Sequence, residues 1–239
     1  MQPLIHRLTR AGLFWACTFA VTIPGCYGEE VQAWHWWTNE ISLNSKFTVI
    51  MHGQFRTKRP LGELIQARTG PILRYYIKPK TTVVGGYFYR GEQQPRAEGL
   101  GDSHRLFAGM EDYKFTPKKR GLPAGLLESR FLVERYFGGP EGSLTSFTRL
   151  RYRNRFSFRE WKVSPLFGYE VFAFTNQYWG QRPHGGIRWI INEKMMLDTG
   201  YYWDGRAPRA GTQRHLFFTN LLIRFKKVPD PDFPNRPAF

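Results

Sequence analysis

The chain is poor in cysteine and in acidic residues. Of its 239 residues only two are cysteine, Cys17 and Cys26, and 19 Asp and Glu residues face 35 Lys and Arg. Both cysteines precede residue 29, so a disulfide framework, a cysteine-ligated zinc site and a thiol nucleophile are not expected in the rest of the chain. Beyond the same point no stretch approaches the roughly 18 consecutive apolar residues of a membrane-spanning helix. A helical membrane protein is therefore not expected.

Residues 1–28 are typical of a secretory signal peptide. They begin with Arg7 and Arg10, continue through an apolar stretch at 11–24 and end in small residues at 25–28. The apolar stretch is shorter than the roughly 20 residues of a helical membrane anchor. A lipoprotein signal with Cys26 acylated is the other alternative, although the proline shortly before it is unusual for such signals. We therefore predict a cleaved signal and export to the periplasm, the medium or the outer membrane.

After this leader, apolar and polar residues alternate, and Gly, Pro, Asn or Lys interrupt the alternation every 10 to 15 positions. This pattern predicts strands joined by turns almost without interruption. The eleven predicted strands are 32–43, 47–57, 66–77, 82–91, 104–115, 127–137, 145–158, 163–175, 182–192, 195–204 and 214–226. Most have 10 to 14 residues, a length that suits strands crossing a bilayer at a tilt. Because single-chain bacterial barrels close with an even number of strands, the eleven counted suggest twelve first and ten second.

The connections between the predicted strands fall into two classes. Tight turns lie at 44–46, 78–80, 159–162 and 192–194, and long polar loops lie at 91–103, 116–126, 175–182 and 204–213. Short turns on one side and long loops on the other are typical of outer-membrane barrels. A repeat at an offset of 114 residues, in which 74–91 resembles 188–205, favours two similar halves.

The sequence thus predicts an all-β fold in three parts. The first is the cleaved signal peptide at 1–28. The second, at 29–227, is a single antiparallel up-and-down transmembrane β-barrel of 10–12 strands with a polar lumen. The third is a Pro-rich carboxyl-terminal tail at 228–239, where four prolines and the lack of alternation argue against a further strand.

The segment 149–158 shows which face of the strands is polar. Its four arginines alternate with apolar residues, and each would cost about 2–4 kcal/mol near the middle of a bilayer, so we expect them to point inward. The predicted lumen-lining residues are Arg68, Arg74, Glu128, Arg130, Glu134, Arg149, Arg151, Arg153, Arg155, Glu170, Arg182, Arg188, Asp198, Asp204 and Arg224. Aromatic residues near strand ends predict an interfacial girdle. Its predicted members are Trp34, Trp36, Trp37, Trp161, Tyr178, Trp179, Tyr201 and Trp203.

Several motifs follow one another in an order that resembles one bacterial family. They are a Trp-rich first strand, an Arg/Tyr segment ending in Gly86-Tyr87-Phe88-Tyr89, an acidic loop before His104-Arg105-Leu106, the Arg130…Glu134 strand, the Arg-x-Arg-x-Arg strand, Glu170-Val171-Phe172 and a second Gly200-Tyr201-Tyr202-Trp203. The ordered set resembles the Gram-negative outer-membrane β-barrel proteins grouped as domain of unknown function 2490, over nearly the whole chain after the leader. The resemblance implies a location and a fold and no activity. One departure from it is at Leu132 and Tyr136, inward positions where basic residues are expected.

Two functions of different classes remain open, with an enzyme third. The first is a narrow, porin-like pore whose arginine surplus favours anions. The alternative is a non-conducting structural or interaction barrel with an ion-paired lumen. An outer-membrane lipid-modifying enzyme ranks third, because Asp102, Ser103 and His104 are consecutive and would alternate between faces. His184 and His215 also have no serine two residues away.

The expected partners follow from the proposed location and from the loop charges. Outer-membrane lipid is the first partner, and loop cations such as Lys118, Arg120 and Arg206 suggest contact with lipopolysaccharide phosphates. No cofactor, no metal site and no nucleic-acid partner are expected, because metal-ligand spacings and nucleic-acid-binding signatures are missing. The oligomeric state stays open.

Overall fold

A computed structural model describes residues 30–58, 62–93, 100–118, 123–138, 146–158, 161–175, 179–207 and 213–225. The predicted signal peptide and the Pro-rich tail lie outside these residues. The described strands are β1 (Glu30–Ser42), β2 (Phe47–Lys58), β3 (Leu64–Lys78), β4 (Thr81–Gln93), β5 (Leu100–Thr116), β6 (Gly125–Gly138), β7 (Ser146–Phe158), β8 (Val163–Phe174), β9 (Trp179–Ile190), β10 (Met195–Ala207) and β11 (Arg214–Arg224). Within these same ranges, no helix has the length and apolar character needed to cross a membrane.

The strands form one closed barrel in which each strand pairs with its neighbours along the chain and β1 pairs with β11. The β1–β11 pair is parallel, from Glu30 opposite Arg214 to Glu40 opposite Arg224, and the other pairs are antiparallel. Each hairpin reverses the chain, so a first and an eleventh strand run in the same direction. The prediction of an all-β barrel of 10–12 strands is confirmed, whereas the preference for an even number, twelve or ten, is wrong. A parallel ladder satisfies the two free strand edges, so no further strand is needed to close the barrel.

The connections define two ends of the barrel, here called the turn end and the loop end. The turn end holds the connections that follow β1, β3, β5, β7 and β9, and the loop end holds the start of β1 and the other connections. The connection 117–124, predicted among the long loops of one side, lies instead at the turn end, between β5 and β6. The predicted separation of short turns from long loops is wrong at this position, because strand order alone decides at which end a connection lies.

Two turns at the turn end share one local chemistry. In the β1–β2 turn, the Asn44 side-chain oxygen accepts hydrogen bonds from the backbone N–H groups of Lys46 and Phe47, at 2.8 and 2.9 Å. In the β9–β10 turn, the Asn192 side-chain oxygen accepts hydrogen bonds from the backbone N–H groups of Lys194 and Met195, at 2.8 and 2.9 Å. An asparagine side chain that binds the backbone ahead of it favours a tight reversal. These two reversals therefore follow directly from the local sequence.

The inner face carries apolar clusters as well as charged residues. One cluster comprises Ile50, Ile72, Val84, Phe88, Phe107 and Leu132, and a second comprises Trp34, Leu166, Tyr202, Leu216 and Phe218. Leu132 therefore packs in an apolar environment, which explains why this inward position lacks a basic residue. The interior consists of packed apolar groups with charged groups between them.

Candidate functional site in the barrel interior

The fifteen residues predicted to line the lumen all point into the barrel. Thirteen of them are buried, and Arg68 and Arg151 are half-buried. Alternation along β7 produces this arrangement, because Arg153 is buried while Leu150 and Tyr152 on the other face are 46% and 43% exposed. Period-two side-chain direction thus brings the arginines and acids of seven strands together in one interior.

Four further charged residues point inward that were not among the predicted ones. They are Glu40, Arg56, Arg105 and Glu111, on β1, β2 and β5. Each lies an even number of positions from an inward-facing residue of its own strand. Because side chains in a strand alternate between the two faces, this spacing could have identified all four.

The predicted aromatic girdle divides between the two faces. Trp34 is only 3% exposed, and both Trp34 and Trp36 pack on Tyr202 inside the barrel, so assigning these two tryptophans to a girdle is a mistake. They share the parity of the buried Glu40, and parity rather than aromatic character decides their side. The outward or exposed members are Trp37, Trp161, Trp179, Tyr201 and Trp203. Trp37 lies in the middle of β1 rather than at its end, and Tyr178 is outside the described residues.

A continuous chain of ion pairs crosses the interior toward the turn end. Glu40 binds Arg224 at 3.0 Å and Arg74 at 3.1 Å, and Arg74 also binds Glu111 at 3.0 Å. Glu111 in turn binds Arg130 at 2.6 Å. The seam strands β1 and β11 are thereby connected through β3 to β5 and β6.

The same chain continues on the opposite wall. Arg130 and Arg155 both contact Glu128, at 3.3 and 3.6 Å, and Arg155 approaches Asp198 at 3.7 Å. Asp198 is held in turn by Arg188, whose Nε and Nη2 donate to its two oxygens at 2.7 and 2.8 Å. This two-point geometry is the strongest form of arginine–carboxylate contact. We call these nine groups, from Arg224 to Arg188, the buried ion-pair chain; each is at most 7% exposed.

Carboxylates near the middle and the loop end are shared among several arginines. Glu134 binds Arg105 at 3.4 Å, Arg151 at 2.9 Å and also Arg149. Arg182 lies between two acids, 3.0 Å from Glu170 on β8 and 3.0 Å from Asp204 on β10. The sharing reflects a shortage of acid, because few carboxylates serve many guanidinium groups.

The described interior carries more positive than negative charge. Leaving aside the rim pairs Arg90–Glu92 and Arg214–Glu30, twelve arginines point inward against seven acids. The arginines are Arg56, Arg68, Arg74, Arg105, Arg130, Arg149, Arg151, Arg153, Arg155, Arg182, Arg188 and Arg224, and the acids are Glu40, Glu111, Glu128, Glu134, Glu170, Asp198 and Asp204. An unpaired buried charge is costly, so this surplus calls for water or for anions.

A cavity of about 250 Å³ lies within this positive region. It extends from rim residues of the loop end, such as Glu92 and Arg214, to mid-barrel residues such as Arg130 and Arg153. Ten arginines but only two acids line it, together with aromatic rings that include Trp34 and Phe88. The cavity is therefore strongly electropositive, with aromatic rings between its charged groups.

The remaining sequence candidates do not assemble a catalytic or metal site in the described residues. Ser103 is buried on the inner face, whereas His104 points outward and hydrogen-bonds the Tyr87 hydroxyl at 2.7 Å. Asp102 accepts a hydrogen bond from Tyr89 on that outer face. Among the described residues no three His, Cys, Asp or Glu side chains are grouped so that they could hold a metal ion.

Comparison with known proteins identifies a family and nothing finer. Neither the curated proteins nor the solved structures contain a match. A family model described as a protein of unknown function (DUF2490) matches residues 31–215, from the start of β1 to the start of β11. The match covers most of the chain, including nearly all of β1 and the whole of β2 to β10. The chain belongs to this family of proteins of unknown function, DUF2490.

Proposed function

We propose that the protein is an outer-membrane β-barrel, exported by the signal at 1–28, whose interior is closed by ion pairs and does not conduct. The observation that carries this proposal is the buried ion-pair chain, which connects the wall strands across the turn-end half of the barrel.

The outer face supports a lipid environment. Apolar side chains are exposed along the barrel wall, among them Leu73, Leu106, Met110, Phe131, Leu150, Phe167 and Tyr169, each between 45% and 54% exposed. Soluble monomers rarely expose contiguous apolar patches larger than a few hundred Å². A barrel with apolar side chains outside and charges inside matches the physical requirements of a bilayer.

Outward polar groups satisfy one another, which also suits a bilayer. Ser129 donates to the Asn154 side chain across β6 and β7 at 2.8 Å. The rings of His35 and His215 lie 2.8 and about 2.5 Å from the hydroxyl oxygens of Thr219 and Tyr201, respectively. In hydrocarbon an unsatisfied polar group costs several kcal/mol, so pairing of this kind permits these residues to face lipid.

The interior supports closure rather than an open channel. Arg74 and Arg188 are 0% exposed although they are long and charged, which requires close packing of their surroundings. The apolar cluster around Ile50 and Leu132 fills further space beside the ion-pair chain. Barrels of about eight strands are filled by their own side chains, and eleven strands enclose only somewhat more. An ion entering from the loop end would have to break buried ion pairs to reach the turn end.

A second candidate function is a narrow anion-selective pore, and the arginine-lined cavity specifically favours it. Fixed positive charge in a low-dielectric passage concentrates anions and repels cations. If such a path opened, Arg151→Glu or Arg153→Glu would weaken or reverse the preference for anions. In the closed barrel the same substitutions instead lower stability.

Conductance of the purified full-length protein in planar bilayers tests the proposal. We expect no channel openings at a protein load that gives clear currents with a porin control, with incorporation verified in liposomes. Stable openings with an anion-selective reversal potential in a salt gradient would overturn closure in favour of the pore. Location has its own test: cell fractionation should recover a chain starting near residue 29 with outer membranes, and recovery in the soluble periplasm would contradict it.

A further inference from the structure

The geometry points to a binding site for a small organic anion, a phosphate or a carboxylate, in the loop-end cavity, with Arg56 and Arg68 as its principal ligands. Among the described residues these two arginines are the inward ones that form no ion pair with a carboxylate, since every other one binds at least one acid. A closed barrel needs no such site, so the inference goes beyond the proposed function.

Arg56 is held in place by an aromatic ring, and no carboxylate of the described residues forms an ion pair with it. Its guanidinium lies 3.9 Å from the centre of the Trp34 ring, a stacked cation–π arrangement that fixes its direction. Its Nε is buried and has no hydrogen-bond partner. A buried N–H donor without an acceptor costs about 1–3 kcal/mol, and more when it is charged. Because Arg56 lines the cavity and has no carboxylate partner in the described residues, an anion can bind there without displacing an acid.

Arg68 repeats this arrangement on the adjacent strand. Its guanidinium lies 4.7 Å from the centre of the Phe88 ring, and its Nη2 is 3.3 Å from Nε2 of His52. Its Nε is also buried without a partner. The Arg105 guanidinium lies 4.5 Å from the centre of the same phenyl ring, so three guanidinium groups lie close together on the cavity wall. The β2–β3 register places Arg56 and Arg68 diagonally across from each other.

The acids that line the cavity do not neutralise these two groups. Glu92 binds Arg90 at 2.9 Å and accepts a hydrogen bond from Gln66 at 3.3 Å. Glu170 binds Arg182 at 3.0 Å and Arg151 at 3.7 Å. Both carboxylates are therefore engaged with other cations.

The ligand class follows from the donors and the walls. Planar guanidinium groups bind two oxygens of one carboxylate or phosphate at once. The half-buried rings of Trp36, Phe147 and Phe174, which line the cavity, offer an apolar surface to the remainder of the molecule. The volume of about 250 Å³ lies below the about 300–1,000 Å³ of drug-sized pockets, which limits the ligand to a small molecule or to one headgroup. The oxyanion could thus belong to a soluble metabolite or to an anionic lipid, and the experiment separates these sources.

The test uses full-length protein in neutral detergent and four probes of similar size: phenyl phosphate, benzoate, benzyl alcohol and benzylamine. Titration calorimetry should detect the two anions and neither of the others. Arg56→Gln and Arg68→Gln should each weaken anion binding about tenfold or more, because a hydrogen bond to a charged group is lost. Arg135→Gln is the matched control, since Arg135 is an exposed rim residue that binds Thr148 and Ser146 outside the cavity. Equal binding of benzyl alcohol and benzoate would overturn the inference, as would unchanged affinity in both cavity variants.

A second measurement guards against misfolding. Without ligand, Arg56→Gln and Arg68→Gln should melt at the same temperature as the unmodified protein or higher, because each removes a half-buried charge that has no carboxylate partner in the described residues. A large loss of stability in both would mean that these arginines have structural partners and would contradict the inference.

Vesicles of phosphatidylcholine with and without phosphatidylglycerol identify the source of the anion. Competition between phosphatidylglycerol vesicles and phenyl phosphate points to a lipid headgroup, and a lack of competition points to a soluble anion. Binding in detergent does not depend on the conductance result, so the two proposals can fail separately.

Discussion

Replacing Glu134 by glutamine tests how the shared carboxylates stabilise the barrel. Glu134 is fully buried and contacts Arg105 at 3.4 Å, Arg151 at 2.9 Å and Arg149. Glutamine preserves the volume and removes the charge. Among the described residues, Arg105 and Arg149 then have no carboxylate partner, whereas Arg151 keeps Glu170 at 3.7 Å. Removing one partner of a buried ion pair costs about 3–5 kcal/mol, so the unfolding equilibrium constant should rise by about two to four orders of magnitude.

The matched control is Glu92→Gln at the loop-end rim. Glu92 binds Arg90 at 2.9 Å with 43% of its side chain exposed, and exposed pairs contribute only about 0–1 kcal/mol. Urea titration of both variants in detergent, followed by tryptophan fluorescence, gives the free energies of unfolding. Equal losses in the two variants would refute the reasoning, because Glu134 would then contribute no more than a solvated carboxylate.

Two further predictions concern strand orientation and the seam. In a chain without its two native cysteines, cysteine at Tyr152 should react with a lipid-phase maleimide and cysteine at Arg153 should not; the opposite labelling would mean a register shifted by one residue. Glu40→Gln should lower the melting temperature more than Glu30→Gln, because Glu40 is buried in the ion-pair chain and the Glu30–Arg214 pair is 31% and 28% exposed. Only the small effect of Glu30→Gln should disappear in high salt, and a salt-sensitive loss at Glu40 would contradict its burial.

The fold could be predicted from the sequence because strand periodicity is a local signal. Alternation and turn residues such as Asn44 and Asn192 located all eleven strands, with every end within four residues of its observed position. The way the barrel closes is not a local property. A rule drawn from other barrels suggested an even count, but the parallel ladder between Glu30–Glu40 and Arg214–Arg224 makes eleven strands sufficient.

The site was less predictable than the fold for a physical reason. In a strand, alternation alone decides whether a side chain points into the barrel or out of it. For Trp34 this rule gives the inner face, in spite of the preference of aromatic residues for membrane interfaces. Pairing depends on strand register and on contacts across the barrel. That Glu111 binds Arg74 from β3, or that Arg56 has no carboxylate partner in the described residues, emerges only when distant strands meet.

The parallel seam also determines the sidedness of the chain. Because β1 and β11 run in the same direction, Glu30 lies at the loop end and Arg224 at the turn end. In an even-stranded barrel, by contrast, the first and last strands place their free ends at one rim. If this barrel spans a bilayer, polypeptide fused ahead of Glu30 and polypeptide fused behind Phe225 would occupy different compartments. The amino-terminal flank would then share its compartment with the mouth of the arginine-lined cavity, and the carboxyl-terminal flank would be separated from it by the membrane.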